Sequence, residues 1–226
     1  MKMFLPLTRM LLILLIAVSC NENKNSSSNE QPNTTKDSSV ADQKVKTILF
    51  FGNSLTAGYG LDPSEAFPAL IQKKLDSLNM PYKVVNAGVS GETSSGGNSR
   101  IDWILQQPVD VFILELGAND GLRGILTTET KKNLQSIIDK VKAKYPEAKL
   151  VLAGMQIPPN MGKAYATSFM NLYPELADEN NMALVPFLLQ GVGGEASLNL
   201  PDGIHPTAEG HRILAENVWS VIKQVL

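Results

Sequence analysis

The chain has 226 residues, of which 43% are hydrophobic, with a formal net charge of -2 and one cysteine. This length and apolar fraction fit one domain of moderate size with a single core. The near-balanced charge, without a run of lysine or arginine, argues against a nucleic-acid partner. A single cysteine excludes an intramolecular disulfide.

The first 19 residues have the pattern of a signal peptide. Two basic residues precede an apolar run over 10–18, which is too short to span a bilayer comfortably. The run ends in AVSC at 17–20, which resembles the lipobox of bacterial lipoproteins, with alanine where leucine is more usual. That resemblance implies that Cys20 is acylated and begins the mature protein. The alternative is a plain signal peptide cleaved near an unmodified cysteine.

Residues 21–45 consist mostly of Asn, Ser, Asp, Lys, Gln and Thr, with almost no large apolar side chain. Such a segment cannot bury enough surface to fold, so it is predicted to be a flexible tether. The predicted organisation is a signal peptide over 1–19, the acylated cysteine and tether over 20–45, and one domain over 46–226. The expected location is the cell envelope, on the periplasmic or cell-surface side. Because asparagine rather than aspartate follows Cys20, the outer membrane is favoured over the inner one.

From residue 46 onward, apolar runs of strand length alternate with segments of helical period. Strands are predicted at 47–51, 82–87, 109–115, 149–155 and 183–185. Helices are predicted at 67–78, 98–106, 128–144, 165–180 and 207–225. This alternation predicts an α/β fold of three layers, in which a five-stranded, mainly parallel sheet is covered by helices on both faces.

Each of the first three predicted strands ends in a polar loop that contains glycine. These loops are GNSL at 52–55, NAGVSGET at 86–93 and ELGAND at 115–120. Because parallel strands place their carboxyl ends at one edge of the sheet, the loops are expected to meet there. Ser54 is the candidate nucleophile, and it needs a base, a group that orients the base and donors for an oxyanion. Taken alone, the first loop is more simply explained as a turn.

The segment DGIHP at 202–206, just before the last helix, supplies a candidate base. Asp202 stands three residues before His205, close enough to accept a hydrogen bond from the ring and hold its tautomer. The other histidine, His211, falls inside the last helix and is interpreted as structural or at the surface. A turn followed by a helix start is the simpler alternative for this segment. A metal site of Asp202, His205 and Glu209 lacks the two-histidine spacing of zinc hydrolases, so no metal and no other cofactor is predicted.

These four elements resemble, in order and spacing, blocks I, II, III and V of the SGNH (GDSL) hydrolases. The resemblance runs from residue 47 to residue 226 and is closest to the bacterial thioesterase, lysophospholipase and arylesterase subgroup. GANDGLRG at 117–124 and DGIHP at 202–206 are especially similar to that subgroup. One block alone is weak evidence, whereas four in order are specific. The resemblance implies the flavodoxin-like fold of the SGNH hydrolases.

The same resemblance implies a role for each matching residue. Ser54 would be the nucleophile, His205 the general base and then acid, and Asp202 the residue that orients His205. The oxyanion hole would consist of the backbone N–H groups of Ser54 and Gly88 and the side-chain amide of Asn119. Glycine allows a close approach of backbone to substrate, and an amide is a neutral donor suited to developing negative charge.

Two residues depart from the family pattern. Asn53 stands where the signature has aspartate, and Ala118 stands where the subgroup often has a second glycine. The amide removes a charge beside Ser54 but keeps an acceptor, and activity is expected to survive. Asp120 is either an acceptor that holds a loop or a turn residue, and the turn is preferred.

The implied function is that of a lipid-anchored, monomeric, cofactor-independent serine esterase. Its substrates would be carboxylic esters, namely lysophospholipids, aryl esters and short-to-medium acyl esters, with acyl thioesters as a further class. The expected partners are this small-molecule ester or lipid and, through the N-terminal anchor, the membrane. The loops at 156–164 and 186–201 are expected to shape the acyl site. The alternatives are a carbohydrate acetylesterase acting on envelope or dietary glycans and a non-catalytic envelope binding lipoprotein.

Overall fold

The structure is a computed structural model in which residues 44–226 are described. The predicted signal peptide, the acylation site at Cys20 and all but the last two residues of the predicted tether lie outside this range. Within it, no helix is both long enough and apolar enough to cross a membrane. The division of the chain at residues 19 and 45 therefore stays a prediction.

Five strands form one parallel sheet in the described part of the chain. Their bounds are β1 Lys46–Gly52, β2 Tyr82–Gly88, β3 Val111–Glu115, β4 Lys149–Ala153 and β5 Ala183–Val185. The order across the sheet is β2-β1-β3-β4-β5, and every neighbouring pair is parallel. The predicted α/β fold with a five-stranded parallel sheet is thereby confirmed.

Helices cover both faces of the sheet. Their bounds are α1 Ser54–Ala57, α2 Phe67–Ser77, α3 Ser94–Ile104, α4 Ala118–Leu122, α5 Thr127–Lys144, α6 Lys163–Asn180 and α7 Ala208–Ile222. Helix α2 packs against α7, whereas α5 packs against both α3 and α6. Three short 3-10 turns, at Pro63–Glu65, Pro159–Met161 and Ala196–Leu198, lie in the connections.

Two successive residues of β1 show how the layers meet, because side chains alternate between the faces of a strand. The ring of Phe50 packs edge-on against Phe67 of α2, with 5.4 Å between ring centroids. The ring of Phe51 faces the other way and lies 4.1 Å from the guanidinium carbon of Arg100 in α3. Since both faces are buried, β1 is a continuous apolar run rather than an alternating one.

The main differences from the predicted elements are at the site-bearing edge. Helix α3 begins at Ser94 instead of residue 98 because the hydroxyl of Thr93 caps it, accepting from the N–H of Gly96 at 3.3 Å. Helices α1 and α4 were not predicted. Each has only four or five residues, too few to show a hydrophobic period.

The register of the central strands brings their carboxyl ends level. Gly52, the last residue of β1, pairs with Gly88 of β2 on one side and with Glu115 of β3 on the other. The loops that follow these three residues therefore leave the sheet side by side, as expected for a parallel sheet.

Candidate active site

Ser54 is the first residue of α1 and follows β1 after a single residue. That residue, Asn53, caps the helix, because its Oδ1 accepts the N–H of Leu55 at 2.9 Å. Gly58 closes the helix in the left-handed region at φ 77°. The backbone N–H of Ser54 has no acceptor among residues 44–226. The nucleophile candidate thus combines a hydroxyl and a free N–H at a helix N-terminus.

The structure brings Ser54, His205 and Asp202 together in one chain of hydrogen bonds. Ser54 Oγ lies 2.9 Å from His205 Nε2, and His205 Nδ1 lies 2.7 Å from Asp202 Oδ2. With Nδ1 donating to the carboxylate, Nε2 is the acceptor for the serine proton. The segment that sequence analysis selected therefore positions a base directly on the hydroxyl.

The carboxylate of Asp202 also folds its own loop. Its Oδ1 accepts the backbone N–H groups of Ile204 at 2.9 Å and His205 at 3.0 Å. The backbone hydrogen bond from His205, followed by the bond from its ring and the one from Ile204, lowers the pKa of Asp202 to about 2. The group that orients the imidazole is therefore ionised at neutral pH.

An aromatic ring from the nucleophile's own segment supports the base. Tyr59 lies beside His205, with 4.4 Å between ring centroids and 38° between the ring planes. His211, in contrast, is buried in α7 and its Nδ1 accepts the N–H of Phe67 at 3.1 Å. Burial, with a smaller effect of His205, lowers the pKa of His211 to about 4. His211 is a neutral structural residue, which is one of the two interpretations that the sequence suggested; the other placed it at the surface.

Asn119 lies in the second position of α4, where its amide has a fixed orientation. Its Nδ2 donates to the backbone carbonyl of Glu92 at 3.0 Å. An amide nitrogen carries two hydrogens, so this bond leaves one for an oxyanion. The predicted role of Asn119 is compatible with that geometry.

The predicted oxyanion role of Gly88 does not fit the structure. The N–H of Gly88 donates to Asn86 Oδ1 at 2.9 Å, and Asn86 Nδ2 in turn donates to the carbonyl of Thr56 at 2.7 Å. A Cβ at Gly88 would also fall 2.8 Å from the carbonyl oxygen of Asn53. Glycine is needed here so that α1 can lie against the end of β2.

Gly91, three residues further along the same loop, has the free N–H. This N–H has no acceptor among residues 44–226, and a Cβ at this position would meet no atom within 4 Å. Its φ of 78° is a conformation that favours glycine. The sequence contained a signal for this assignment, because asparagine side chains commonly bond the backbone N–H two residues on, which takes Gly88 out of use.

Charged side chains hold the Gly91 loop from two directions. Arg100 makes two hydrogen bonds to Glu92, each of 2.6 Å, and its Nη2 donates to the carbonyl of Ala87 at 2.8 Å. Arg123, at the end of α4, donates from Nη2 to the carbonyl of Gly91 at 3.0 Å. The loop that offers the free N–H is therefore pinned at both its base and its tip.

Asp120 is a buried acceptor that joins the second and third loops, so the preference for a turn residue was wrong. Its carboxylate accepts the backbone N–H of Ser94 at 2.8 Å and the hydroxyl of Ser94 at 2.5 Å. Ser94 is the first residue of α3, immediately after the Gly91 loop. Asp120 therefore fixes the start of α3 relative to Asn119.

Sequence analysis missed Glu115, a fully buried carboxyl group behind the nucleophile. Its Oε1 accepts Asn53 Nδ2 at 2.7 Å, and its Oε2 accepts the N–H of Asn53 at 3.0 Å and the hydroxyl of Thr56 at 2.8 Å. Burial raises the pKa of Glu115 to about 7, against the opposing effect of these donors. Gly52 makes the space, since a Cβ there would lie 2.5 Å from Glu115 Oε2.

Glu209 and the 156–164 loop both make contacts away from Ser54. Glu209 pairs with Arg212 on the exposed side of α7. No cluster of three metal-ligating side chains occurs among residues 44–226. The start of the 156–164 loop lines a cavity of about 320 Å³ together with α6, through Gln156, Ile157, Lys163, Ala166, Thr167 and Met170. Neither Ser54 nor His205 lines that cavity.

A serine hydroxyl bonded to an imidazole that a carboxylate orients, at the carboxyl edge of a parallel sheet, defines the class of serine hydrolases. The chain belongs to the GDSL-like lipase/acylhydrolase family, whose model matches residues 50–213. This family assignment confirms the resemblance that the four sequence blocks indicated.

Relatives and solved structures agree with this assignment. The chain is 42% identical to Esterase TesA of Pseudomonas aeruginosa over 183 residues, which cover 80% of this chain and 90% of the relative. It is 38% identical to Thioesterase 1/protease 1/lysophospholipase L1 of Escherichia coli strain K12, over 75% of this chain and 80% of the relative. Among solved structures, the psychrotrophic esterase EstA from Pseudoalteromonas sp. is 33% identical with a TM-score of 0.75, over 80% of this chain and 98% of EstA.

Proposed function

We propose that this protein is a serine esterase that hydrolyses carboxylic esters through an acyl-serine intermediate. The observation that carries the proposal is the continuous path from Ser54 Oγ through both nitrogens of His205 to Asp202, with distances of 2.9 Å and 2.7 Å. A serine in this arrangement can lose its proton as it attacks, which a lone serine cannot do at neutral pH.

In the acylation step, Ser54 Oγ attacks the carbonyl carbon while its proton passes to His205 Nε2. The ionised Asp202 stabilises the imidazolium that results. The negative charge on the carbonyl oxygen is stabilised by the N–H groups of Ser54 and Gly91 and by the second amide hydrogen of Asn119. His205 then gives its proton to the departing alcohol, and the acyl group stays on Ser54.

In the deacylation step, the same residues act on water. His205 takes a proton from a water molecule as its oxygen attacks the acyl carbon, and it returns the proton to Ser54 Oγ when the carboxylic acid leaves. No cofactor enters this proposed sequence, because each proton is moved by His205 and each charge is met by a residue of this chain.

The segments that carry the site residues also carry several large, exposed apolar side chains. These side chains favour substrates with an apolar acyl or aryl part. They are Tyr59, Val89, Leu122 and Ile204. The exposure of these four side chains supports lysophospholipids, aryl esters and short-to-medium acyl esters as substrates. Acyl thioesters react through the same acyl-serine step, and the name of the Escherichia coli relative supports including them.

The test combines a labelling experiment with a substrate panel. A fluorophosphonate probe is expected to label the wild-type protein and to leave Ser54→Ala unlabelled, while Ser220→Ala, at an exposed serine of α7, keeps full labelling. The panel contains p-nitrophenyl esters of increasing chain length, a lysophospholipid, an acyl-CoA and an acetylated sugar. Activity confined to the acetylated sugar contradicts the proposed substrates. A folded wild type that is neither labelled nor active indicates a non-catalytic binding lipoprotein.

We also propose that the protein is a monomeric envelope lipoprotein anchored through Cys20, more consistent with the outer than the inner membrane. The support is the AVSC sequence at 17–20 and the asparagine that follows it. Palmitate labelling of cells is expected to mark the wild type and to spare Cys20→Ser, and the wild type is expected in the outer-membrane fraction. Equal labelling of both proteins contradicts the anchor.

A further inference from the structure

We infer that Asn53 and Glu115 form a positioning pair, in which an amide facing a buried carboxyl group holds the turn that carries Ser54 in its reactive geometry. The inference rests on the serine esterase proposed above, because it concerns how that nucleophile is held. It also gives a reason for asparagine at the place where the family signature has aspartate.

The contacts of Asn53 use both ends of its amide. Nδ2 donates to Glu115 Oε1 at 2.7 Å, while Oδ1 accepts the N–H of Leu55 at 2.9 Å and lies 3.4 Å from Ser54 Oγ. The backbone N–H of Asn53 donates to the other carboxyl oxygen of Glu115 at 3.0 Å. The residue before the nucleophile is thus bound to Glu115 twice and to the first turn of α1 once.

Only one orientation of the amide satisfies these contacts. If the Asn53 amide were reversed, Nδ2 would face the N–H of Leu55 and Oδ1 would face Glu115 Oε1. Two donors would then oppose each other at one end and two acceptors at the other. In a site where Asn53 and Glu115 are 1% and 0% exposed, water cannot compensate for such mismatches.

Glu115 can keep this contact whether it is ionised or protonated. Its second oxygen faces the hydroxyl of Thr56 at 2.8 Å, and a hydroxyl can either donate to a carboxylate or accept from a carboxylic acid. Tyr173 of α6, a buried titratable group whose pKa Glu115 helps to raise, donates to the carbonyl of Leu116 at 3.0 Å. No lysine, arginine or histidine forms an ion pair with Glu115 within residues 44–226. The amide of Asn53 therefore supplies a donor that does not depend on pH.

Aspartate at position 53 would change that property. Two carboxyl groups 2.7 Å apart cannot both be ionised, so Asn53→Asp must hold a shared proton to keep the contact. When that proton leaves at higher pH, the two carboxylates repel each other and the turn that carries Ser54 is released.

The test exchanges the amide and the carboxyl group between the two positions. In Glu115→Gln, the single oxygen of the new amide can accept from only one of the two donors of Asn53, Nδ2 or the backbone N–H, and the other donor faces its NH2 group. The kcat is therefore expected to fall about ten-fold or more, as for one unsatisfied buried donor. In the double variant Asn53→Asp with Glu115→Gln, the amide at position 115 donates to the carboxylate at position 53. That carboxylate can still accept the N–H of Leu55. The double variant is expected to recover kcat to within about three-fold of wild type.

Three readouts separate positioning from mere stability. The melting temperature shows whether each variant is folded at the assay temperature, and the rate constant of fluorophosphonate labelling reports the reactivity of Ser54. The KM is expected to change less than kcat. Asp139→Asn, which removes an exposed amide–carboxylate pair with Gln135 on α5, is the control and is expected to leave all three unchanged. Across pH, Asn53→Asp is expected to lose kcat on the alkaline side, where wild type and double variant do not.

A double variant no more active than Glu115→Gln overturns the inference, and so does a Glu115→Gln variant with wild-type kcat. If the folded wild type itself neither hydrolyses any ester of the panel nor reacts with the probe, the proposed esterase function fails instead. The two failures are therefore distinguishable.

Discussion

Ser54 lies between two polar groups of opposite character. On one side, His205 and Asp202 have side chains 19% and 39% exposed, and they come from a loop that Asp202 itself folds. On the other side, Asn53 and Glu115 are essentially inaccessible and come from the ends of two central strands. The open side moves protons, whereas the closed side holds the nucleophile in place.

This difference separates two kinds of damage. A polar group that is partly solvated is replaced at little cost to folding, so a change on the open side removes chemistry from an intact protein. A buried polar group is stable only with all its partners, so a change on the closed side disturbs stability and geometry together.

Loss of the carboxylate that orients the base is expected to have the largest effect. Asp202→Asn should lower kcat/KM by about 10⁴-fold, because the imidazole loses the partner that fixes its tautomer. The fold should persist at neutral pH with a modestly lower melting temperature, since asparagine keeps an oxygen that can accept the N–H groups of Ile204 and His205. The lowered pKa of Asp202 gives a stabilisation that is present above about pH 3.8 and lost as the pH falls through about 2. A variant that loses activity only because it unfolds contradicts this prediction.

Removal of the side-chain oxyanion donor should have the next largest effect. Asn119→Ala is expected to lower kcat by about 10²- to 10³-fold with a smaller change in KM, because the donor acts on charge that develops in the transition state. Single-turnover acylation with a p-nitrophenyl ester measures this effect directly. An equal loss in kcat and in substrate binding argues that Asn119 only holds the Glu92 loop.

The buried Glu115 should make the free energy of unfolding depend on pH. Burial raises the pKa of Glu115 from 4.5 to about 7, so the native state keeps a proton that the unfolded chain has lost. The free energy of unfolding should therefore fall by about 3 kcal/mol as the pH rises from 4.5 to 7. The lowered pKa of His211 acts in the opposite sense between about 4 and 6.5, since there the unfolded chain binds more protons.

The effects of Glu115 and His211 on the free energy of unfolding oppose each other. The contribution of the Glu115 carboxyl group is therefore obtained by comparing wild type with Glu115→Gln, which lacks that group. Denaturant unfolding at several pH values should show wild type losing about 3 kcal/mol relative to the variant between pH 4.5 and 7. A difference that stays constant with pH contradicts the raised pKa.

The smallest expected effect distinguishes the two glycines of the second loop. Gly88→Ala should destabilise the protein by about 1–3 kcal/mol, because the added Cβ lies 2.8 Å from the Asn53 carbonyl oxygen. Gly91→Ala has open space, so its cost to stability should come only from the φ of 78°. The melting temperatures of the two variants give the comparison, and a larger loss in Gly91→Ala contradicts it.

Much of the fold and the open side could be predicted from the sequence. Buried parallel strands are long apolar runs, and the polar loops that follow them meet at one edge for a purely geometric reason. Ser54 was selected because it follows a predicted strand and matches the family's first block, and the choice of base was narrow because the chain has only two histidines.

The contact between Asn53 and Glu115 was not predicted, because it depends on how β1 and β3 are aligned in the sheet. Glu115 ends an apolar strand and resembles a residue at its solvent edge, and only its pairing opposite Gly52 buries it beside Asn53. Asp120 was misassigned for a similar reason, since its partner Ser94 lies 26 residues earlier in the chain, at the start of α3. The oxyanion role of Gly88 came from the family resemblance, whereas its N–H donates to Asn86 Oδ1 in the structure.

The distances along the chain between these partners set an order of assembly. Asn53 and Glu115 are 62 residues apart, whereas Ser54 and His205 are 151 residues apart. During synthesis from the N-terminus, the segments of the positioning pair are both available well before the base has been added, and closing the longer loop is slower. The active site is therefore complete only when the last loop docks, since that loop supplies both Asp202 and His205.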